Sequence, residues 1–260
     1  KYFMSFDFKK SKISIITINL NNKAGLKRTI KSVKDQTFKN IEYIIVDGDS
    51  SDGSDELIAR HKKLLTKVIF QKSKGIYHAI NIGLKYAQGD IVSLLHSGDT
   101  YSNKKVLDFV SKNFEKMKLD FLIGGTRIFK KNKIYRVYCL DKFKQEDLKY
   151  GMSPPHLSTF ISGNLKNKIG PYSLNYKIAS DFNFFVKLFK INNLNYIFMK
   201  KNLVDMEHGG KSNQGLKSIY KITKEINMCL KNNKINSNYF FTYFRLFIKL
   251  KQLLNVKFIR

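Results

Sequence analysis

Cysteine is almost missing from this chain of 260 residues; only Cys139 and Cys229 occur. Two thiols supply neither a disulfide framework nor the ligand spacing of a metal site, and they fit a reducing cytoplasm. Acidic residues are scarce too, 20 against 48 lysines and arginines, for a formal charge of +28. Such an excess favours polyanions, anionic lipid surfaces or phosphate-bearing substrates. Part of it accompanies a general crowding of Lys, Asn and Ile, a bias that raises Lys without functional gain. No uncharged run is long enough to span a bilayer, and the first residues have no apolar core of the signal-peptide kind. The expected location is therefore cytoplasmic. There is no internal repeat. The first turn, Asn19 to Gly25, lacks Gly-x-Gly-x-x-Gly, and no Walker pattern occurs. Those absences argue against a hydride-transfer dinucleotide fold and a phosphate-loop ATPase.

What is present is a real core, with 43% hydrophobic residues, arranged as alternating strands and helices. Lys12–Asn19, Ile41–Val46, Val68–Gln71 and Ile91–Leu95 read as strands. Ala24–Gln36, a segment from Ser54 to about Lys63, and Ile76–Ala87 read as helices between them. That alternation means βαβ units, a parallel sheet and an α/β fold, with right-handed crossovers gathering the strand ends on one edge. Further on, Val106–Met117 reads as a helix. Asp120–Gly124, Thr126–Phe129 and Lys133–Tyr138 read as strands, with Lys131-Asn132 as a hairpin turn. Ser158–Ser162, Asn195–Met199 and Asn202–Met206 read as strands, Asp181–Ile191 as an amphipathic helix, and His208–Ser212 as a glycine loop. Two basic helices follow, near Leu216–Leu230 and Tyr239–Val256.

The chemistry concentrates where strands end. Ile91–Leu95 runs into His96-Ser97-Gly98-Asp99, which places Asp99 at the crevice where open α/β sheets bind ligands. A carboxylate there suits Mg²⁺ or Mn²⁺ holding a diphosphate, or else a plain turn or cap. The second strand ends in Asp47-Gly48-Asp49-Ser50-Ser51-Asp52-Gly53-Ser54. An Asp in that place can accept from a ribose hydroxyl or a base N–H, and one of the three acids is expected to act only as an N-cap.

Taken in order, VDGDSSDGS, KGIYHAINIGLKYAQGD, LLHSGD, PPHLSTF, YKIASDF and HGGKS resemble a family 2 glycosyltransferase of the GT-A fold, from about Lys12 to Ser212. The likeness is to the subgroup that builds bacterial exopolysaccharide and surface-polysaccharide repeat units. The resemblance implies a Rossmann-like nucleotide-binding half (residues 12–100), an acceptor half (101–212), a mixed central sheet, and C-terminal basic helices (213–260). It places the nucleotide base at Thr17, Asn19 and Asn21, with Asp47 as the uracil-contacting acid and Asp49 beside it. It lines the donor diphosphate with residues from Lys74 to Asn81, sets Ser97 and Gly98 before the metal acid Asp99, and makes Asp181 the general base. His156 matches a histidine preceding the acceptor helix; His78 and His208 are further candidates for acceptor or phosphate contact. Three departures stand out: one metal acid rather than two, Gly48 and Asp49 exchanged relative to the family order, and His78 in place of an Asp.

The implied reaction moves a sugar from a nucleotide-sugar, of the UDP class, to a hydroxyl of a lipid-linked saccharide, with inversion and with Mn²⁺ or Mg²⁺ as cofactor. Asp181 at a helix start suits base catalysis, with an N-cap role as the alternative and Asp205 and Glu207 as runners-up. In the last helix, Phe240, Tyr243, Phe244, Phe247, Leu250 and Leu254 share one face, and Thr242, Arg245, Lys249 and Gln252 the other. Such a helix fits the inner face of a membrane, or packing on the domain or on a second copy of the chain, and its Arg and Lys could also contact the acceptor's lipid diphosphate. Two rival readings are a basic nucleic-acid-binding protein and an inactive glycosyltransferase-like subunit. The first sits badly with acids at strand ends and with the absence of a helix-turn-helix or aromatic RNA-binding sheet motif. The second rests only on the missing second acid.

Overall fold

The computed structural model describes residues 11–209 and 216–246. Its first half is built on four parallel strands, β1 (Ile13–Asn19), β2 (Ile41–Asp47), β3 (Lys67–Phe70) and β4 (Ile91–Leu94), in the order β3-β2-β1-β4. β1 and β4 are buried along their whole lengths, as unbroken apolar strands covered on both faces must be. The connecting helices are α1 (Lys23–Lys34), α2 (Ser54–Arg60) and α3 (Ile76–Tyr86). α1 begins where the Asn22 side chain accepts from the Gly25 N–H at 3.1 Å, and its last turn carries Lys31 and Lys34, favourable at a helix C-terminus. α3 lies close on β1 because a Cβ at Gly83 would come within 2.3 Å of the Ile16 side chain.

The second half extends the same sheet. β4 pairs antiparallel with β8 (Thr159–Ser162), β8 with β6 (Phe121–Lys130), and β6 runs parallel to β9 (Tyr196–Glu207). β5 (Thr100–Tyr101), directly after Asp99, pairs with the far end of β9, so Thr100 faces Asp205. β7 (Lys133–Tyr138) closes a hairpin on β6. Its two turn residues, Lys131 and Asn132, both have positive φ, 48° and 59°, as a tight hairpin of this hand requires. Around the sheet lie α4 (Val106–Met117), α5 (Gly163–Ile169), α6 (Ser180–Phe189) and α7 (Leu216–Asn232), and residues 239–246 are helical.

Several expectations change. The strands expected at 120–124 and 126–129 are one strand, and so are those expected at 195–199 and 202–206. Gly124 and Gly125 mark an irregularity in the β6–β9 register, where strand glycines permit close approach rather than a turn; a Cβ at Gly124 would meet Leu203 at 2.4 Å. β5 and α5 are additional elements. The divisions near 100 and 212 cut through shared structure: one sheet spans both halves, and Ile226, Cys229 and Leu230 of α7 belong to the same buried core as β1. The last helix packs by its polar face. Thr242 and Arg245 are buried, whereas Phe240 is 80% exposed and Phe244 about half. The polar groups turn inward because they have partners there: Asn227 Nδ2 donates to Thr242 Oγ1 at 2.8 Å and Arg245 to Thr223 Oγ1 at 2.8 Å. Phe247, Lys249, Leu250, Gln252 and Leu254 lie outside the described residues, as do 210–212 of the glycine loop.

Candidate active site

Two clusters of chemistry flank the junction of the halves. The first sits at the carboxyl ends of β1, β2 and β4. Asp47 is only 1% exposed, and its carboxylate is already engaged: Asn19 Nδ2 donates to it at 2.7 Å, the Ser50 N–H at 2.8 Å and the Ser50 hydroxyl at 3.0 Å. Asn19 Nδ2 also reaches Ser54 Oγ at 3.0 Å, while its enclosed Oδ1 has no protein partner. Asn21, at φ 49°, accepts the Ser51 N–H at 2.8 Å, and Asp49, at φ 68°, is exposed. These residues brace a loop around the strand ends, on which Asp49 is exposed and the Asn19 side-chain oxygen is enclosed without a partner among the described residues. Asp52 is the capping acid of the three. It takes the Lys23 N–H at 2.7 Å and the Ser54 N–H and hydroxyl at 3.2 and 2.6 Å, and these bonds, the Ser54 hydroxyl first, hold its carboxyl below the usual range.

Thr17 is not at this surface. It is fully buried, donates to the Leu95 carbonyl at 2.7 Å, and lies 3.1 Å from the Tyr43 hydroxyl, so its side chain serves the core. Asn81 is also turned to other work: it clamps the backbone of Tyr172, donating to its carbonyl at 2.8 Å and accepting its N–H at 2.7 Å. On the same helix the Tyr77 hydroxyl donates to the Ile178 carbonyl and faces the N–H groups of Ser180 and Asp181. Thus the segment expected to line a diphosphate divides. Lys74 is exposed and His78 half-buried with Nδ1 3.4 Å from Gln71, whereas Tyr77 and Asn81 hold the acceptor-side loop.

Asp99 lies on the loop between β4 and β5. Gly98 before it has φ 106°, which glycine adopts freely, and its N–H donates to Thr29 Oγ1 at 3.0 Å. Ser97 Oγ donates to the Asn22 carbonyl at 3.2 Å. The Asp99 carboxyl is 7% exposed, and burial pushes its pKa up to about 8, against the opposing pull of the Glu207 N–H and the Arg28 charge. It is therefore largely protonated at neutral pH until a cation takes the proton's place. Among the described residues no three His, Cys, Asp or Glu side chains cluster as a self-sufficient metal cage. One carboxylate fits a Mg²⁺ or Mn²⁺ whose remaining positions are filled by phosphate oxygens and water.

The second cluster surrounds a cavity of about 330 Å³ lined by Asp181, His156, Arg136, Arg245 and apolar residues of α6 and α7. Asp181 lies in the first turn of α6 but does not cap it; the cap position is Ala179, and Asp181 Oδ1 accepts the adjacent Phe182 N–H at 2.8 Å. The capping duty falls to Glu225 of α7, whose carboxylate accepts the N–H groups of Lys177, Ile178 and Ala179 at 3.1, 2.8 and 2.9 Å. His156 Nε2 lies 2.6 Å from the Tyr172 hydroxyl, and burial lowers its pKa to about 3. It is neutral, so as a phosphate contact it would offer a hydrogen bond and no charge. His208 lies elsewhere, at the end of β9 against Tyr135. The runner-up bases are engaged: Asp205 holds Arg127 through two bonds of 2.7 and 2.6 Å, and Glu207 pairs with Arg28.

Glu225 and Arg136 were not among the expected site residues. An acid inside a basic helix was the one available signal for Glu225; only tertiary structure reveals Arg136.

A mixed sheet with an acid at the end of a central strand and a second acid above an adjoining cavity is the GT-A architecture. Residues 14–169 match the Glycosyl transferase family 2 pattern, and the chain belongs to that family of glycosyltransferases. It is 31% identical over 188 residues to an uncharacterized glycosyltransferase of Mycobacterium tuberculosis, covering 67% of this chain and 68% of that one. It is 28% identical over 190 residues to the Escherichia coli UDP-Glc:alpha-D-GlcNAc-diphosphoundecaprenol beta-1,3-glucosyltransferase WfgD, covering 71% and 72%. Similar solved folds include S. aureus TarS 1–349 in complex with UDP-GlcNAc, with a TM-score of 0.66 at 19% identity over 85% of this chain and 67% of that chain. Another is the mannosyltransferase PcManGT from Pyrobaculum calidifontis in complex with GDP-Man and Mn²⁺, with a TM-score of 0.63 at 13% identity over 89% and 66%. No helix among the described residues is long and apolar enough to cross a membrane.

Proposed function

We propose that this glycosyltransferase takes a sugar from a UDP-sugar and joins it, with inversion, to a hydroxyl of a saccharide carried on a lipid diphosphate. The observation that carries the reading is the pair of acids in two separate clusters: Asp99 on the loop between β4 and β5, and Asp181 at the cavity. WfgD, whose name gives both a UDP-sugar and a diphospholipid acceptor, supports the same choice of substrates.

In this scheme Asp49, Asn19 and Lys74 border the nucleotide, with Asn21 and Asp47 acting through the loop they hold. Asp181 accepts the proton of the acceptor hydroxyl as its oxygen bonds to the sugar's anomeric carbon, and the bond from that carbon to the diphosphate breaks. One base on the far side from the leaving group implies a single displacement and hence inversion. Asp99 would hold a divalent cation, and that cation would supply charge neutralisation for the departing diphosphate. The exposed Tyr239, Phe240 and Phe244 on a lysine-rich chain suit peripheral contact with an anionic membrane face, where a lipid-linked acceptor resides.

The test is a transfer assay with the full chain, a panel of UDP- and GDP-sugars, and diphospholipid-linked saccharides. The expected result is transfer from a UDP-sugar that falls by about 10²-fold or more in Asp181→Asn. Transfer at wild-type rate in that variant would remove Asp181 from its role.

A further inference from the structure

Five of the chain's arginines lie in the described residues, and they divide into two kinds. Arg28, Arg60 and Arg127 each pair with a carboxylate. Among the described residues Arg136 and Arg245 form no ion pair, and these two line the 330 Å³ cavity with Asp181. They come from unrelated elements, Arg136 from β7 and Arg245 from the helical residues 239–246. The Nε of each is enclosed and has no partner among the described residues.

Arg245 is the more telling. It is 6% exposed, one Nη donates to Thr223 Oγ1 at 2.8 Å, and no acid among the described residues lies within ion-pair distance. Asp181 is near enough to act on it electrostatically, without forming a pair. Arg136 keeps its guanidinium over the Tyr138 ring, 5.3 Å from the centroid. A buried guanidinium without a counter-charge, as at Arg245, is costly, and Arg136 adds a second, partly buried one to the same cavity. Forked donors on two walls match the oxygens of a phosphate group, which they can engage bidentately.

We propose that this cavity is an anion site, in which Arg136 and Arg245 hold a phosphate or diphosphate group of the acceptor next to Asp181. This deepens the proposed function and rests on Asp181 facing the acceptor. It gives the cavity a task separate from the donor diphosphate, which belongs to Asp99. It also accounts for the inward polar face of the last helix: the helix delivers Arg245 to the acceptor while its aromatic face stays outside.

The same chemistry could arrive as free phosphate or on a lipid, so the test has an arm for each. Binding of inorganic diphosphate and of dodecyl diphosphate to the full chain is measured at constant ionic strength without divalent metal, for wild type, Arg245→Gln and Arg136→Gln. Arg136→Gln, on a two-strand hairpin, guards against misfolding of the more buried variant. UDP binding with Mn²⁺ reports in parallel on fold and donor site. The expected result is saturable dodecyl diphosphate binding that weakens about tenfold to a hundredfold in each variant, with UDP binding unchanged. Inorganic diphosphate binding that depends on the arginines, without any for the dodecyl compound, would assign the site to a free anion and overturn the acceptor role. Binding of both probes unaffected by either substitution would overturn the site itself. Loss of UDP binding in wild type would instead refute the donor reading.

Discussion

Removing the carboxylate of Glu225 should loosen the acceptor side of the protein while sparing the donor side. Its two oxygens collect three consecutive backbone N–H groups at the entry to α6. The Lys177 bond is at the exposed end and counts for little. The other two are partly buried and made to a charged acceptor, worth roughly 1.5–3 kcal/mol each before solvent access and non-additivity are allowed for. Glu225→Ala should therefore cost about 2–4 kcal/mol, lowering the unfolding midpoint by roughly 5–15 °C for a chain of this size. Glu225→Gln, which keeps one acceptor oxygen, should lose about half as much. Because Asp181 follows this loop by two residues, transfer should fall in both variants, whereas UDP binding with Mn²⁺ should not change. Denaturant unfolding, read with UDP titration, checks both halves of the expectation. A loss below about 0.5 kcal/mol in Glu225→Ala would refute the assignment of Glu225 as the cap of this loop.

Asn81→Ala should lower stability by about 1–3 kcal/mol by freeing both backbone groups of Tyr172, with nucleotide affinity intact; a large loss of UDP affinity without destabilisation would restore a donor-side role to Asn81. Mn²⁺ affinity in the presence of UDP should rise about tenfold per pH unit up to about pH 8 and then level, because cation and proton compete for the raised Asp99 carboxyl; a flat titration profile from pH 6.5 to 8.5 contradicts this. The sign for folding is opposite: a carboxyl raised in the folded chain stabilises it least once pH climbs from the unfolded carboxylate range through 8, so Asp99→Asn should flatten that decline in metal-free denaturation. Phe240→Ser with Phe244→Ser should weaken association with anionic vesicles at least tenfold, read by co-sedimentation; unchanged association would move membrane contact to another surface.

Much of the fold could be read directly from the chain because its parallel half obeys local rules. Buried apolar runs alternate with amphipathic helices, and α4 falls at the bounds its spacing indicates. The strands of the acceptor half were harder to read because Gly124 and Gly125 look like punctuation but permit close contacts, Gly124 with Leu203 and Gly125 with Asn202 and Cys139. The strand ends bearing Asp47 and Asp99 were legible as a site, yet spacing alone gave no sign that Thr17 faces the core or that Asn81 grips Tyr172. Periodicity found the two faces of the last helix but left open which of them packs. Which face packs depends on whether Thr223 and Asn227 stand ready to receive polar groups, and that is a property of tertiary structure.

Titration of UDP into the full chain by calorimetry, with and without Mn²⁺, in wild type, Asp99→Asn and Asp181→Asn, bears most directly on the central claim that one acid serves the donor and the other the acceptor. The expected result is Mn²⁺-dependent UDP binding that is lost in Asp99→Asn and kept in Asp181→Asn. UDP binding indifferent to Mn²⁺ and to Asp99, or abolished by the change at Asp181, would contradict it.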